Sequence, residues 1–380
     1  MSWATHQKRW FGKWHTYLGI IAGTFLAVVG MTGSILVFRD EIDRSLNPDL
    51  FYATDGTERL PIDEVYARYT AQPDAKKLSF LYQADTAANA SFIGYSGELQ
   101  IFISAYSAKT LGERNHDSSF IGFVTTLHRS FFIPGIGRYL NGLAALVMLI
   151  LIISGLRLWL PKNKKQLKDS LAVKFNGSTK RQNYDWHRVI GLYSSPVVSV
   201  LALTGFCISF SLVIIPVLFI LSLKNPMDAA KLLGAKSEYT AASNAVPLQQ
   251  IFDTAQANIP LGTIRGIAPP ADSTAAWRVD LTIPGIADEP DREFVLIDQY
   301  SGKPLSNSAT DLPQIGKAYL TWLTPLHYGT FGGMATRILA LIASLVPVAL
   351  FITGLFIWLK RWKKSKGKEK SRTKKKEELA

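Results

Sequence analysis

The sequence contains a single cysteine, Cys207, among its 380 residues. One thiol cannot form a disulfide within the chain, so no disulfide framework stabilises the fold. The C-x-x-C-H motif is missing, which excludes a haem attached through thioether bonds. G-x-S-x-G, H-E-x-x-H and a phosphate-binding loop are missing too. We therefore predict no catalytic nucleophile or general base, and nothing indicates a hydrolase.

Acidic residues are few relative to basic ones, 29 against 42, which gives a formal net charge of +13. The basic residues cluster before residue 16, between residues 161 and 186, and after residue 359. No basic domain with interleaved aromatic residues is present, so we expect no nucleic-acid partner. The clusters flank apolar runs instead, as cytoplasmic segments of membrane proteins do.

Long apolar runs are the dominant feature of the chain. They lie at residues 16–38, 139–156, 189–223 and 338–359. Roughly 20 apolar residues span a hydrocarbon core, so we predict four transmembrane helices in a lipid bilayer. The third run is too long for one span. We expect its membrane part to end near Phe210 and the extension Ser211–Leu223 to break at Pro216.

The spans and the positive-inside rule divide the chain into segments of predicted location. These are the N-terminus and first span (1–38), a first outside domain (39–137), the second span (138–160), a cytoplasmic loop (161–186), the third span with its extension (187–223), a second outside domain (224–336), the fourth span (337–359) and a basic cytoplasmic tail (360–380). Both termini are then cytoplasmic, and the first span is a retained anchor.

The two outside segments have similar patterns. Each has an amphipathic helix followed by alternating apolar and polar residues with Tyr-Ser turns, which indicates a small α+β domain. The helices are expected at residues 61–69 and 248–258 and β-prone runs at 78–83, 91–95, 263–267 and 276–283, and the segments 99–111 and 294–305 close the two domains with strands and tight turns.

Four histidines lie at matching places in the two halves. His15 and His187 are each preceded by tryptophan, and Gly19 and Gly191 follow them four residues later. A Thr-Gly pair comes 17 positions after each of these histidines. His128 and His327 are each followed by an arginine after 10 positions, Arg138 or Arg337, and by a glycine after 27, Gly155 or Gly354. We infer a parallel two-fold repeat with two spans per half. Ionisable residues at membrane depth are rare and usually functional.

These features resemble the PepSY-associated transmembrane family, often called iron-regulated membrane proteins. The resemblance is carried by the Trp-His-x-x-x-Gly pairs, the Leu127-His128-Arg129 and Leu326-His327 sites, Gly155-Leu-x-Leu-Trp159 and the Val-Leu-Ile-Asp-x-Tyr-Ser-Gly segment, and extends from about residue 8 to 362. It implies PepSY-like periplasmic domains on a bacterial inner-membrane protein. Members include siderophore reductases with two haems, and some relatives carry a fused flavoprotein donor. This chain ends in a lysine-rich tail, so we expect a separate cytoplasmic flavoprotein or the quinol pool as electron donor.

Two b-type haems are the best single explanation of four matched histidines. A bis-histidine haem needs two neutral imidazoles at one depth, so we pair His15 with His187 on the cytoplasmic side and His128 with His327 on the outer side. A zinc site is less suitable because each pair supplies only two of the four ligands that structural zinc takes.

Further residues are candidates for cofactor contact. Gly19 and Gly191 leave room for a flat ring, although small residues also serve ordinary helix packing. Arg138 and Arg337 suit haem propionates, although arginine is common at membrane interfaces. His116 has no counterpart in the other half, and it either contacts substrate or lies in a surface loop.

The function that we predict from this is outward electron transfer by an oxidoreductase that reduces a ferric siderophore in the periplasm and releases ferrous iron. The alternative is a membrane-anchored PepSY binding or regulatory module without redox activity, which leaves the histidines unexplained. A transporter for the iron complex is disfavoured, because four spans without matching broken helices offer no transport path.

Overall fold

The computed structural model describes most of the chain. It covers residues 3–83, 85, 87, 89–161, 163–239, 244–285 and 291–377, without the side chains of residues 3–9, 165, 291 and 363–377. The basic residues Lys8, Arg9 and Lys162, and the side chains of the lysine-rich tail beyond Trp362, therefore lie outside the described set.

Helices and strands alternate in two similar series. The helices are α1 Trp3–Leu36, α2 Arg39–Leu46, α3 Pro48–Phe51, α4 Ile62–Thr70, α5 Phe120–Ser130, α6 Gly137–Trp159, α7 Lys164–Ser170, α8 Thr179–Ser209, α9 Ser211–Leu221, α10 Met227–Gly234, α11 Leu248–Asn258, α12 Ser308–Asp311, α13 Gln314–Tyr328 and α14 Gly333–Glu377. The strands are β1 Phe80–Gln83, β2 Phe92–Ser96, β3 Leu99–Ile103, β4 Thr110–Asn115, β5 Thr263–Ala268, β6 Trp277–Ile283, β7 Asp291–Ile297 and β8 Pro304–Asn307.

Four long helices form a bundle. Among the described residues, four helical stretches are long and apolar enough to cross a membrane: Trp10–Leu36, Gly137–Trp159, Thr179–Ser209 and Thr330–Trp362. They agree with the four predicted spans. Helix α1 packs against α6 and α14, and α8 packs against the same two helices. The bundle core consists of Leu26, Met148, Val198, Ala202, Ala343 and Val346. Large apolar side chains such as Ile21, Ile153 and Ile342 are exposed on its outside, as a lipid environment permits.

The third span ends where it was expected to end. Helix α8 stops at Ser209, and Phe210 leaves the helical region with φ −105° and ψ 22°. The expected break at Pro216 is wrong, because α9 continues through it. A proline inside a helix removes a backbone hydrogen bond and clashes with the preceding turn, which costs about 3 kcal/mol or more. Burial of Ile215 and Phe219 against the apolar residues Phe294 and Leu296 of β7 holds α9 together.

The strands form one antiparallel sheet of eight strands in the order β4-β3-β2-β1-β5-β6-β7-β8. We expected two small domains, but strands of both outside segments join, through Leu81 opposite Ile267 and Tyr82 opposite Gly266. This pairing covers an edge strand on each side and so removes two exposed edges. Helices α4 and α11, at the predicted positions, pack on the sheet through Val65, Tyr69, Ile251 and Phe252 among others.

Two short helices connect the sheet to the bundle, and neither was predicted within the outside segments that contain them. Helix α5 precedes α6 and ends at Phe131, whose φ is 52°. Helix α13 precedes α14 and ends at Gly329, whose φ is 76°. These left-handed residues turn the chain into the following span. Because α5 and α13 carry His128 and His327, they are the elements that matter most for the site.

Candidate functional site

The structure brings the four matched histidines together in two pairs. The ring centroids of His15 on α1 and His187 on α8 are 6.3 Å apart. Those of His128 on α5 and His327 on α13 are 6.5 Å apart. We call these the inner pair and the outer pair, after the sides predicted for them. They are the pairings that equal depth predicted.

Both separations suit two imidazoles that share one metal ion. Two metal–nitrogen bonds of about 2 Å, plus roughly 1 Å from each nitrogen to its ring centre, place the centroids about 6 Å apart. Two imidazoles that stack on each other or form a direct hydrogen bond need no such gap between their rings. Each pair therefore has room for an ion between its rings.

A hydroxyl group from another helix holds each imidazole through its Nδ1 atom. In the inner pair, His15 Nδ1 lies 2.9 Å from Ser154 Oγ, and His187 Nδ1 lies 2.9 Å from Thr353 Oγ1. In the outer pair, the partners are Thr32 Oγ1 at 3.0 Å and Thr204 Oγ1 at 2.9 Å. Every span thus contributes one hydroxyl to one histidine.

These contacts favour a proton on Nδ1 of each histidine. The hydroxyls of Ser154, Thr32, Thr204 and Thr353 donate to backbone carbonyls of their own helices, for example Thr32 Oγ1 to Val28 O at 2.8 Å. A hydroxyl that donates its one proton to a carbonyl can only accept from the histidine, and His128 Nδ1 also lies 3.0 Å from the carbonyl oxygen of Val29, which only accepts. An imidazole protonated on Nδ1 leaves Nε2 unprotonated, which is the tautomer that a metal-binding histidine uses.

A glycine follows each of these hydroxyl residues and leaves space for the ring. A Cβ atom built on Gly155 or Gly354 would lie 3.2 or 3.3 Å from Cε1 of the inner histidine beside it. The corresponding distance is 3.1 Å at Gly33 and at Gly205 in the outer pair. Such contacts are tighter than ordinary van der Waals contact, so a larger residue would push the imidazole away. The sequence showed these positions as matched, but it did not reveal that they hold the histidines.

Ser154 and Thr353 are site residues that the sequence analysis missed. Both precede a matched glycine, as Thr32 and Thr204 do, so the signal was a hydroxyl residue before glycine in every span. A comparison of all four spans with one another, instead of by halves, would have found them.

Comparison with protein families gives one match over most of the chain. The family model described as PepSY-associated TM region matches residues 13–361, an interval that contains all four histidines. The chain belongs to the PepSY-associated TM family. No curated protein matches it.

Each histidine pair of this PepSY-associated TM protein borders a cavity. The inner cavity, about 460 Å³, lies between the spans and has a wall of glycines that includes Gly12, Gly19, Gly23 and Gly191. A Cβ on Gly19 or Gly191 would make only ordinary contact, at 3.9 Å to Leu151 and 3.7 Å to Leu350. The outer cavity, about 630 Å³, contains both outer histidines in its wall. Both volumes are within the range of roughly 300–1,000 Å³ that is usual for ligand sites.

Cationic side chains line both cavities, and no described carboxylate side chain does. Arg188 and Arg361 lie at the inner cavity. Arg39, Arg129 and Arg138 lie at the outer cavity. Arg188 is fixed by Asp185, whose fully buried carboxylate accepts from it at 3.1 Å. The sequence analysis singled out only Arg138 of these five.

The two arginines predicted to contact propionates both bind the end of a span. Arg138 donates to the carbonyls of Ser209 at 3.1 Å and Ile208 at 2.9 Å, where α8 ends. Arg337 donates to Val37 O at 2.7 Å, just after α1, and pairs with Glu41. The hydrogen bond that Arg337 donates to Glu41 lowers the pKa of the Glu41 carboxyl. Both guanidiniums therefore satisfy carbonyls that a helix end leaves free. Arg337 is outside the outer cavity wall, and propionate contact stays a prediction for both.

His116 lies in the wall of the outer cavity. It begins a short 3₁₀ turn between β4 and α5 and is partly buried. Burial lowers the pKa of its imidazole. Its Nδ1 atom is buried and has no hydrogen-bond partner among the described residues. His116 thus lies in a connecting turn and borders the outer cavity, and its contact with substrate stays a prediction.

Proposed function

We propose that this protein is a dihaem electron-transfer protein of the bacterial inner membrane that reduces a ferric siderophore in the periplasm. The observation that supports the proposal most strongly is the repeated ligand geometry. Two histidine pairs have centroids 6.3 and 6.5 Å apart, and every Nδ1 atom is occupied by a hydroxyl.

The donor set fits haem better than a bare metal ion. No group of three or more His, Cys, Asp or Glu side chains that could hold a metal ion occurs within the described part of the chain. Each pair supplies two nitrogens, and a porphyrin would supply the other four ligands of its iron. The glycine-rich walls leave room for a flat ring, and the arginines at the cavity edges suit its carboxylates.

The residues of the chain would position and tune the cofactor. The hydroxyls of Ser154, Thr353, Thr32 and Thr204 fix ring orientation and keep Nε2 free of a proton. Apolar residues of the bundle, such as Leu26 and Met148, border both cavities and exclude water from the space between the pairs. When bound, the haems supply the one-electron chemistry.

The direction of transfer follows from the proposed topology. The basic segments lie at the end of the bundle where α1 and α8 begin, which is the end of the inner pair. By the positive-inside rule this end is cytoplasmic, and the sheet is periplasmic. We further propose that the halves are two copies of one unit and that each contributes four strands of a PepSY-like domain. The donor would be a separate flavoprotein or quinol.

Sealed proteoliposomes test the proposal. Dithionite is trapped inside, a ferric trihydroxamate is added outside, and released ferrous iron is measured with an impermeant ferrous chelator. Wild-type protein should release external ferrous iron, whereas His15→Ala and His128→Ala should each abolish it. His6→Ala is the matched control, because His6 has no counterpart in the second half. Reduction that survives either ligand change contradicts the proposal. If the purified protein folds but contains no haem, the membrane-anchored binding module is the function that remains.

A further inference from the structure

The outer cavity is lined by more positive charge than the contacts of its arginines within the described structure neutralise. Three guanidinium groups line it, from Arg39, Arg129 and Arg138, and no carboxylate side chain among the described residues does. Arg138 is occupied by the end of α8. Arg39 lies 3.4 Å from Asp40 and 5.1 Å from the ring centre of Tyr328. This pair with Asp40 is solvent-exposed and therefore weak.

Of the three guanidinium groups, that of Arg129 has the fewest contacts. No hydrogen bond, ion pair or ring contact joins it to another described residue, and its side chain is exposed at the cavity. Glu41 and Asp117, two acids of the segments around the outer pair, form no ion pair with it. Glu41 pairs with Arg337, and Asp117 accepts a hydrogen bond from Thr126 Oγ1 at 2.6 Å. The charge of Arg129 is thus available to a bound anion.

The other half of the molecule has no such charge. Tyr328 follows His327 where Arg129 follows His128, and Ser211 occupies the position matched to Arg39. The three arginines that line the outer cavity therefore all come from the first half of the chain, as His116 does. His116 lines the same cavity, and no described residue forms a hydrogen bond with its buried Nδ1 atom.

We propose that the sheet-side mouth of the outer cavity is a docking site for an anionic metal chelate, held by Arg129, Arg39 and His116. The inference rests on the proposed function, since the chelate is the acceptor that the outer pair would serve. Its chemical class is an anion with carboxylate or other oxygen groups, for which guanidinium is a suitable partner.

Haem propionates alone do not account for this charge. Two propionates would neutralise two of the three guanidiniums, and the core of a ferrous haem with two neutral imidazoles is uncharged, so one positive charge would remain. The mouth therefore stays cationic after haem is bound. A cationic entrance raises the local concentration of an anionic acceptor and repels a cationic one.

Two inert complexes of opposite charge test the proposal by binding alone. Hexacyanocobaltate(III) is a trianion and hexaamminecobalt(III) a trication, and neither requires electron transfer. Each is titrated calorimetrically into full-length protein in zwitterionic nanodiscs at low salt, where screening is weak. Haem content is measured by absorbance on every sample.

We expect the haem-loaded protein to bind the trianion and not the trication. Arg129→Gln should weaken trianion binding on the order of tenfold, the size of one unit-charge contact near solvent. Arg129→Lys should restore most of it, and Arg39→Gln and His116→Gln should weaken it less. Arg68→Gln, whose side chain lines neither cavity, is the matched control and should leave it unchanged.

Two results overturn the inference while haem binding stands. One is trianion binding that is the same in Arg129→Gln and Arg39→Gln as in the wild type. The other is trianion binding that occurs only before haem is loaded, which assigns these cations to the propionates. Failure of the proposed function looks different, because the samples then contain no haem at all.

Discussion

The inner and outer histidine pairs share a design but depend on different parts of the molecule. In both, a hydroxyl before a glycine on a neighbouring span holds each imidazole. The inner histidines lie on the spans α1 and α8 themselves, whereas the outer ones lie on the short helices α5 and α13. The inner site is therefore complete within the bundle, and the outer site needs the sheet to position two of its elements.

The connection between the sheet and the outer pair can be located. Strand β4 leads through the turn at His116 into α5. Arg114 at the end of β4 forms a two-pronged ion pair with Asp43 of α2, at 2.8 and 2.6 Å. Both side chains are nearly buried, with 12% and 11% exposed. This pair ties the sheet to the segment that follows α1, so it bears on the outer site alone.

The largest expected effect comes from filling the space beside one histidine. Gly33→Val should displace His128 and remove the outer haem, and Gly155→Val should displace His15 and remove the inner one, because their Cβ atoms would lie 3.1 and 3.2 Å from the rings. Gly234→Val is the control, since a Cβ there meets nothing within 4 Å. The haem-to-protein ratio and the spectrum of the remaining haem report the result. Retention of both haems in either variant would mean that these glycines do not define the sites.

The next effect separates the two sites by their dependence on the sheet. Arg114→Met leaves Asp43 buried without its partner, which costs about 3–5 kcal/mol. We expect the outer haem to be lost at a lower temperature and the inner haem at an unchanged one, followed by absorbance during heating. Arg68→Met, which breaks an exposed pair with Glu64, should change little. Loss of both haems at the same lowered temperature would show that the inner and outer sites do not depend on different parts of the molecule.

A smaller effect should be the same at both sites. Ser154→Ala and Thr32→Val each remove the hydroxyl that contacts one histidine Nδ1, and loss of such a contact typically weakens metal binding about 10–100-fold. We expect the lower end of this range for Thr32→Val, because the carbonyl of Val29 stays 3.0 Å from His128 Nδ1. Ser194→Ala is the control, because its hydroxyl donates to Ile190 of its own helix. Haem titration of the haem-free protein gives the affinities. A change in the control as large as in the two variants would assign the effect to helix packing.

The smallest difference is spectroscopic. The imidazole planes are 86° apart in the inner pair and 48° apart in the outer pair. Axial imidazoles that are nearly perpendicular give a more anisotropic low-spin ferric signal in electron paramagnetic resonance. We expect two different signals, of which His15→Ala removes the more anisotropic one and His128→Ala the other. A single signal in the wild type would contradict this difference.

Spacing in the sequence was enough to find the spans and the pairs. Hydropathy located four helices because lipid requires long apolar stretches, and equal offsets matched His15 with His187 and His128 with His327. Both signals are local or repeated in the sequence, so they can be recognised without knowledge of the fold. The α4 and α11 helices and the strands followed from periodicity for the same reason.

Contacts between distant segments could not be predicted in this way. The partners of the histidines, Ser154 and Thr353 among them, lie on other helices, and only packing brings them within hydrogen-bond distance. The joining of β1 to β5 depends on which edges meet. Pro216 indicated a break by local rules, but burial of Phe219 overrides them.

The haem content of the purified protein and its ligand variants tests the central claim most directly. A pyridine haemochrome assay should give two non-covalent haems per chain in the wild type, one in His15→Ala, one in His128→Ala and none in the double variant. Full haem content in either single variant, or no haem in wild-type protein expressed with haem supplied, would contradict the assignment of the two histidine pairs.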